Sequence, residues 1–449
     1  MNRIVKGGRT PRASSSKNSG NHVNSVKLPR LLLDWFAANA RDLPWRRTLD
    51  PYAIWVSEIM LQQTQVKTVI PYFERWMREL PTIQSLASAS SEKIHKLWEG
   101  LGYYTRVRNM QKAARSMVEK HNGEFPTNYD DVFALPGIGR YTAGAICSIA
   151  FNQPTAILDG NVIRVLTRVF GVRENAREKE TNARLWQLAD DLVNAAAWAS
   201  LSPQRGEGLR VRGGNAERLG LRERLRTVRQ PDLCNCNLFV VPAPRPGPLP
   251  VEGRGSSVTP LLVHAPAVRF TGSCSALNQS LMELGATVCT PRQPRCHNCP
   301  LAKVCAARKL GLVEVLPNLG KRATAAARRF VACIVERSGA VLVRQRPAGV
   351  VNAHLWEFPN IEIPLRCSLP NARQRLETEL GCALHKLTPF LTVKHTITRY
   401  RITLDVFAGA LNGDCPDSRA GQWLPMAKAR ELSFTSAHGR ILRQISGAA

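Results

Sequence analysis

Four cysteines fall within seventeen residues, in the order Cys289-x6-Cys296-x2-Cys299-x5-Cys305. Thiols clustered in this way converge on a metal, and the flanking chain must fold so that they can. Spacing alone admits a tetrahedral four-thiolate zinc as well as an iron–sulfur cluster. Arg292, Arg295, Lys303 and Arg308 surround the cysteines, which suits a loop held against phosphates. The start of the chain has no charged segment followed by an apolar core of the secretory kind, so a reduced intracellular protein with one metal site is expected.

The rest of the chain is read around that loop. Its 449 residues suffice for two or three domains. Apolar runs are interrupted within about ten residues, short of the roughly 20 that cross a bilayer, so no integral membrane protein is expected. Lys and Arg number 62 against 34 Asp and Glu, a formal charge of +28. Such an excess favours a polyanionic partner, nucleic acid before an anionic membrane; an Arg-biased composition or a charged tail is the other source.

Composition divides the chain. Residues 1–27 carry no acid and read as a disordered basic terminus. Residues 28–199 are helix after helix, for example from Asp50-Pro51, where Asp caps free amides and Pro suits the first helical position. That helix is expected to carry Glu58 and then Gln62-Gln63 on successive turns. Residues 200–274 hold an Arg-, Pro- and Gly-rich insertion, with eleven Arg and no Lys between 201 and 273, and are expected to be disordered. Residues 275–320 resume a helix at Ser275 and run through the cysteines, 321–329 form a basic linker, and 330–445 read as an α+β domain, with strands at Val331–Glu336 and Ala340–Arg346 and period-two alternation from Thr398 to Asp405.

Three places carry chemistry. Leu135-Pro136-Gly137-Ile138-Gly139-Arg140 is a Gly-rich turn opening into an apolar helix, whose free amides and positive dipole end suit a phosphate; a plain interhelical turn fits the same residues. Glu58 is the only charged residue between Asp50 and Lys67. A carboxyl on an apolar face has a raised pKa and holds a proton for general acid catalysis, whereas one at a helix rim simply faces water. Asp159 precedes the helix that ends at Gly171, as an N-cap does, and a helix end is expected to keep such a carboxyl ionised.

Taken in order, Ser57-Glu-Ile-Met-Leu-Gln-Gln-Thr-Gln-Val66, Gly100-Leu-Gly-Tyr-Tyr-Thr-Arg106, Leu135-Pro-Gly-Ile-Gly-Arg140, Ile157-Leu-Asp-Gly-Asn-Val162 and the 6-2-5 cysteine spacing resemble the adenine DNA glycosylases of the helix-hairpin-helix superfamily, the MutY family. The resemblance spans roughly 28–199 and 275–445. It implies a multidomain fold, an all-α glycosylase core with a C-terminal α+β Nudix-like domain, and a monomer. It implies a [4Fe-4S] cluster on Cys289, Cys296, Cys299 and Cys305. The implied partner is double-stranded DNA with adenine opposite 8-oxoguanine or guanine, in the cytoplasm or nucleoid of a bacterium or the nucleus or an organelle of a eukaryote. Glu58 would protonate adenine, Asp159 would offset the oxocarbenium-like sugar, and Tyr141 and Asn161 would orient base and acid. Arg46 would touch the flipped adenine. Gln62, Gln63 and Tyr103 would meet the opened duplex, Gln63 and Tyr103 as wedges, and Pro136, Gly137 and Gly139 would hold a phosphate.

The C-terminal domain by the same resemblance reads 8-oxoguanine, with Thr398 supplying a hydroxyl and Arg399 beside it. Gln374-Arg-Leu-Glu-Thr-Glu-Leu-Gly381 lacks the first Arg and two acids of a working Nudix segment, so binding rather than hydrolysis is expected. Two alternatives remain at this point. An endonuclease III-like glycosylase and lyase would carry a lysine where this chain has Tyr141, and a non-catalytic DNA-binding protein would use Glu58 and Asp159 only structurally.

Overall fold

The computed structural model describes residues 20–201, 271–321, 324–397, 399–412 and 421–447. Expectations for residues 1–19, for most of the Arg-, Pro- and Gly-rich segment and for Thr398 lie outside the described residues.

The N-terminal part is helical: α1 Gly20–Asn39, α2 Pro51–Leu61, α3 Val66–Glu79, α4 Ile83–Ser88, α5 Ser91–Trp98, α6 Thr105–Lys120, α7 Tyr129–Ala134, α8 Arg140–Phe151, α9 Gly160–Phe170, α10 Lys179–Leu201 and α11 Ser273–Thr287. Helix α1 starts at Gly20, so the boundary expected at 27 lies inside a helix. Asp50 caps α2 as expected, accepting from the N–H groups of Tyr52 and Ala53. Gln62 caps its far end and Gln63 sits beyond it with φ 59°. The expectation that Gln62-Gln63 ride on the helix is therefore corrected: they form the turn that ends it.

Two apolar cores share these helices. One gathers Trp55, Trp76, Trp98, Val107 and Met110; the other gathers Ile54, Val162, Leu166, Leu185, Leu277 and Leu281. Helix α2 contributes to both, and Tyr52 through Met60 are all buried. A helix that is apolar nearly all round belongs inside a protein, which is why Glu58 is carried away from water.

After α11 the cysteine loop contains only a 3-10 turn at Cys296–Asn298 and the short α12 Ala306–Lys309. The C-terminal domain is a seven-stranded mixed sheet of β1 Ala326–Arg337, β2 Ala340–Gln345, β3 Trp356–Glu357, β4 Asn360–Ile363, β5 Ala383–Ile397, β6 Tyr400–Asn412 and β7 Gln422–Pro425. Strand β1 begins inside the expected linker, because Ala326 to Arg329 pair with β6. Helix α13 Leu369–Leu380 packs on one face through Leu376 and Leu380; α14 Met426–Glu431 and α15 Ser436–Ile445 cover the other through Ala429 and Ile441. The domain touches the helices through Leu355, which joins their core, and through Arg108, whose Nη1 donates to Ala353 O at 3.0 Å. Among the described residues no helix is long and apolar enough to cross a membrane.

Candidate active site

A cleft of about 530 Å³ opens where α2, α8, α9 and α11 meet, lined among others by Arg46, Glu58, Gln62, Gln63, Tyr141, Asp159 and Asn161. Seven of the residues singled out from sequence thus share one pocket, of a size that takes a small organic group.

Glu58 is 6% exposed. Burial pushes its carboxyl up to about 7, outweighing the bond from the Tyr141 hydroxyl, while the charge of Asp159 adds to the rise. The Tyr141 hydroxyl donates to Glu58 Oε2 at 2.8 Å and lies 3.3 Å from Met282 Sδ. The water-facing rim position is excluded for this glutamate.

Asp159 is the N-cap of α9. Its Oδ1 accepts from the Val162 N–H at 2.7 Å and its Oδ2 from Asn161 Nδ2 at 2.8 Å. Burial nonetheless raises its pKa, and the bonds from Val162 and Asn161 only oppose that rise. The expectation of a depressed carboxyl is corrected: lost hydration outweighs the helix end. Asn161 is itself oriented, since its Oδ1 accepts from Arg164 Nη2 at 2.8 Å, while Arg164 Nε donates to Cys289 O at 2.7 Å.

Arg46 lines the cleft, but its guanidinium is already engaged. It donates to Glu283 Oε2 at 3.0 Å and to Arg41 O at 3.2 Å, and lies 5.2 Å from the Phe36 ring. Glu283, on α11, is 1% exposed, and its two arginines hold its carboxyl below the ordinary range against the pull of burial. Sequence reasoning passed over Glu283 and Arg41. Glu283 is the lone acid between Ser275 and Gly285, but Asn278, Gln279 and Ser280 deny it the apolar flanks that marked Glu58.

The hairpin turn joins α7 to α8. Leu135 and Ile138 are buried and anchor it, while Pro136, Gly137 and Gly139 are exposed. Gly137 takes φ +81°, and a Cβ there would sit 2.6 Å from Asn109 Cβ. Gly139 has φ −101°, which any residue adopts, and a Cβ there would meet nothing within 4 Å. The fold therefore requires glycine at 137 but not at 139. A smaller cavity bordered by Gln62, Arg106, Pro136 and Gly137 places the turn beside the end of α2. Tyr103 is 43% exposed, with φ 49°.

Cys289, Cys296, Cys299 and Cys305 line one cavity with Val165, Leu284 and Val288. Among the described residues no three His, Cys, Asp or Glu side chains are placed to hold a metal ion. Four thiols set round one cavity, with Arg168 Nη1 donating to Cys289 Sγ at 3.3 Å, fit a group held by four cysteines.

In the C-terminal domain, β5 and β6 pair up to Ile397↔Tyr400, which puts Arg399 at a hairpin tip. Arg399 Nε donates to the Tyr400 hydroxyl at 3.2 Å. Glu377 accepts from Arg373, and Glu379 pairs with Arg344 at 2.8 Å.

Residues 56–191 match the family model described as HhH-GPD superfamily base excision DNA repair protein, and residues 330–444 match the NUDIX domain. The chain is 31% identical to the adenine DNA glycosylase of Rattus norvegicus, over 92% of this chain and 77% of that protein. It is 32% identical to the adenine DNA glycosylase of Homo sapiens, over 93% and 73%. The chain belongs to the adenine DNA glycosylase family. Among solved structures the glycosylase is similar to a thermostable thymine-DNA glycosylase, with TM-score 0.43 and 22% identity over 64% of this chain and 98% of that one.

Proposed function

We propose that this adenine DNA glycosylase of base excision repair acts on adenine mispaired with 8-oxoguanine or guanine in duplex DNA, by a monofunctional, hydrolytic mechanism. The observation that carries this reading is the buried Glu58, held near 7 and hydrogen-bonded by Tyr141, in one cleft with Asp159.

Adenine is a poor leaving group from deoxyribose. Glu58, protonated near neutrality, donates to the base as the glycosidic bond breaks. Tyr141 occupies one carboxyl oxygen and leaves the other to carry the proton. Asp159, with both oxygens accepting hydrogen bonds that favour its ionised form, offsets the positive charge that develops on the sugar, and a water that gives its proton to the Glu58 carboxylate then adds at C1′ in place of adenine. Glu283 holds Arg41 and Arg46 at the wall of the same cleft, where they meet the extruded base. A lyase would need an amine at the cleft, and Tyr141 stands at the position where the lyase relatives carry theirs.

Gln63 and Tyr103 wedge into the duplex as the adenine leaves the stack, and Gly137 and Gly139 present the start of α8 to a phosphate. Cys289, Cys296, Cys299 and Cys305, as thiolates, would hold a [4Fe-4S] cluster, whose iron–sulfur bonds would tie the loop's ends together. The Nudix-like domain reads the base opposite adenine from the β5–β6 tip, and Glu377 and Glu379, each paired with an arginine, favour binding over hydrolysis. The protein works where its cell keeps DNA, in the nucleoid, the nucleus or an organelle.

The test is a glycosylase assay on an adenine:8-oxoguanine duplex, with and without alkali. Strand breakage only after alkali is the expected result. Breakage without alkali would identify a lyase, and an intact strand under both conditions a non-catalytic binder.

A further inference from the structure

Arg106, in the first turn of α6, is tied to two separate stretches of backbone. Its Nη1 donates to the carbonyls of Ile59 at 2.6 Å, Met60 at 3.2 Å and Gln62 at 2.7 Å. Its Nη2 donates to Leu101 and Gly102, both at 3.1 Å. The first three carbonyls end α2; the other two belong to the loop between α5 and α6. Each set immediately precedes an exposed residue in the left-handed region, Gln63 (φ 59°) after Gln62 and Tyr103 (φ 49°) after Gly102. The guanidinium lies 5.8 Å from the Tyr103 ring centroid and 5.2 Å from that of Trp98, whose Nε1 donates to the same Gly102 carbonyl at 3.1 Å.

Left-handed backbone at a side-chain-bearing residue persists only where its surroundings over-determine it. Here the surroundings of both residues pass through one rigid, planar, fork-shaped group. We infer that Arg106 is a positioning residue for base extrusion, setting Gln63 and Tyr103 at a fixed spacing so that both enter the duplex together. The inference rests on the wedge role proposed above. A lysine cannot replace it, because three donors on a single nitrogen do not span two sets of carbonyls.

The test compares single-turnover adenine release from two duplexes. In one, adenine faces 8-oxoguanine; in the other it faces a tetrahydrofuran abasic analogue, so that no partner base holds it in. Arg106→Met should slow release from the paired duplex about 30-fold and from the unpaired one by less than about threefold, since only the paired adenine needs a full wedge. Arg106→Lys should fall between. A 2-aminopurine replacing the adenine should show a reduced fluorescence rise on binding to either variant. Gln63→Ala and Tyr103→Ala should reproduce the selectivity for the paired duplex. Equal slowing on both duplexes, or none on the paired one, overturns the inference. Loss of that selectivity in Gln63→Ala and Tyr103→Ala instead sinks the wedge role itself. If Arg106→Met does not fold, Arg106→Lys alone decides, by the ratio of its two rates.

Discussion

A general acid delivers its proton efficiently only when its pKa lies near the working pH, and at residue scale burial brings Glu58 there, to about 7 from an ordinary 4.5. The acid form dominates below that value. The rate of adenine release under saturating DNA is therefore expected to fall about tenfold per unit above pH 7, as for one essential proton, and to fall again at the acid end where Asp159, raised by burial, takes up a proton. Glu58→Gln should lower the rate by about 10²–10⁴-fold, the usual worth of a general acid, while mispair binding measured by gel shift stays near wild type. Stability runs in the same direction with pH for the same reason. A carboxyl raised on folding contributes stability that is complete below pH 4.5 and lost as pH rises through about 7. Thermal midpoints taken at pH 5 and pH 8 should thus shift in favour of Glu58→Gln at the higher pH.

At the scale of elements, two glycines separate packing from ligand approach. Gly285 on α11 lies against the start of α9, and a Cβ there would sit 2.6 Å from Asn161 Cβ and 2.9 Å from Asn161 O. Backbone cannot give way as a flexible side chain does. Gly285→Ala should cost about 1–3 kcal/mol by overpacking and, by displacing Asn161 from Asp159, slow adenine release; thermal melts and single-turnover rates check both. Gly139→Ala meets nothing in the fold, so its cost is at most the helix-cap preference of about 1 kcal/mol. If the start of α8 meets a phosphate, the added methyl should weaken DNA binding about equally for matched and mispaired duplexes, with a shallower salt dependence. Unchanged affinity would leave the hairpin as a simple turn.

Across the whole molecule, the cysteine loop reaches the cleft through the arginines of α9. Arg168, 2% exposed, donates to Leu316 O at 2.9 Å and Thr290 O at 2.8 Å, and Arg164 runs from Cys289 O to Asn161. Protein prepared without oxygen should contain about four irons per chain, as a four-cysteine cluster requires. Cys299→Ser should lower the iron content and weaken DNA binding, and it should also slow adenine release, because Arg164 loses a fixed anchor at Cys289. Stoichiometric zinc in place of iron would overturn the cluster assignment.

What the sequence determined alone follows from local chemistry. Asp50-Pro51 and Asp159 start helices because a carboxylate accepts free amides, Gly171 ends one in the left-handed region, and clustered thiols mark a loop. Apolar runs placed β1 and β2, and period-two alternation placed β6, though not where β1 begins, because its pairing to Tyr400 lies more than seventy residues away. Tertiary structure decided the rest. Glu58 became an acid because α2 is enclosed by two cores, and Asp159 rose because its helix end is buried rather than hydrated. Glu283, Arg41 and Arg106 stayed hidden for the same physical reason. Their partners are backbone carbonyls and charges brought together only by folding, and no spacing along the chain reports them.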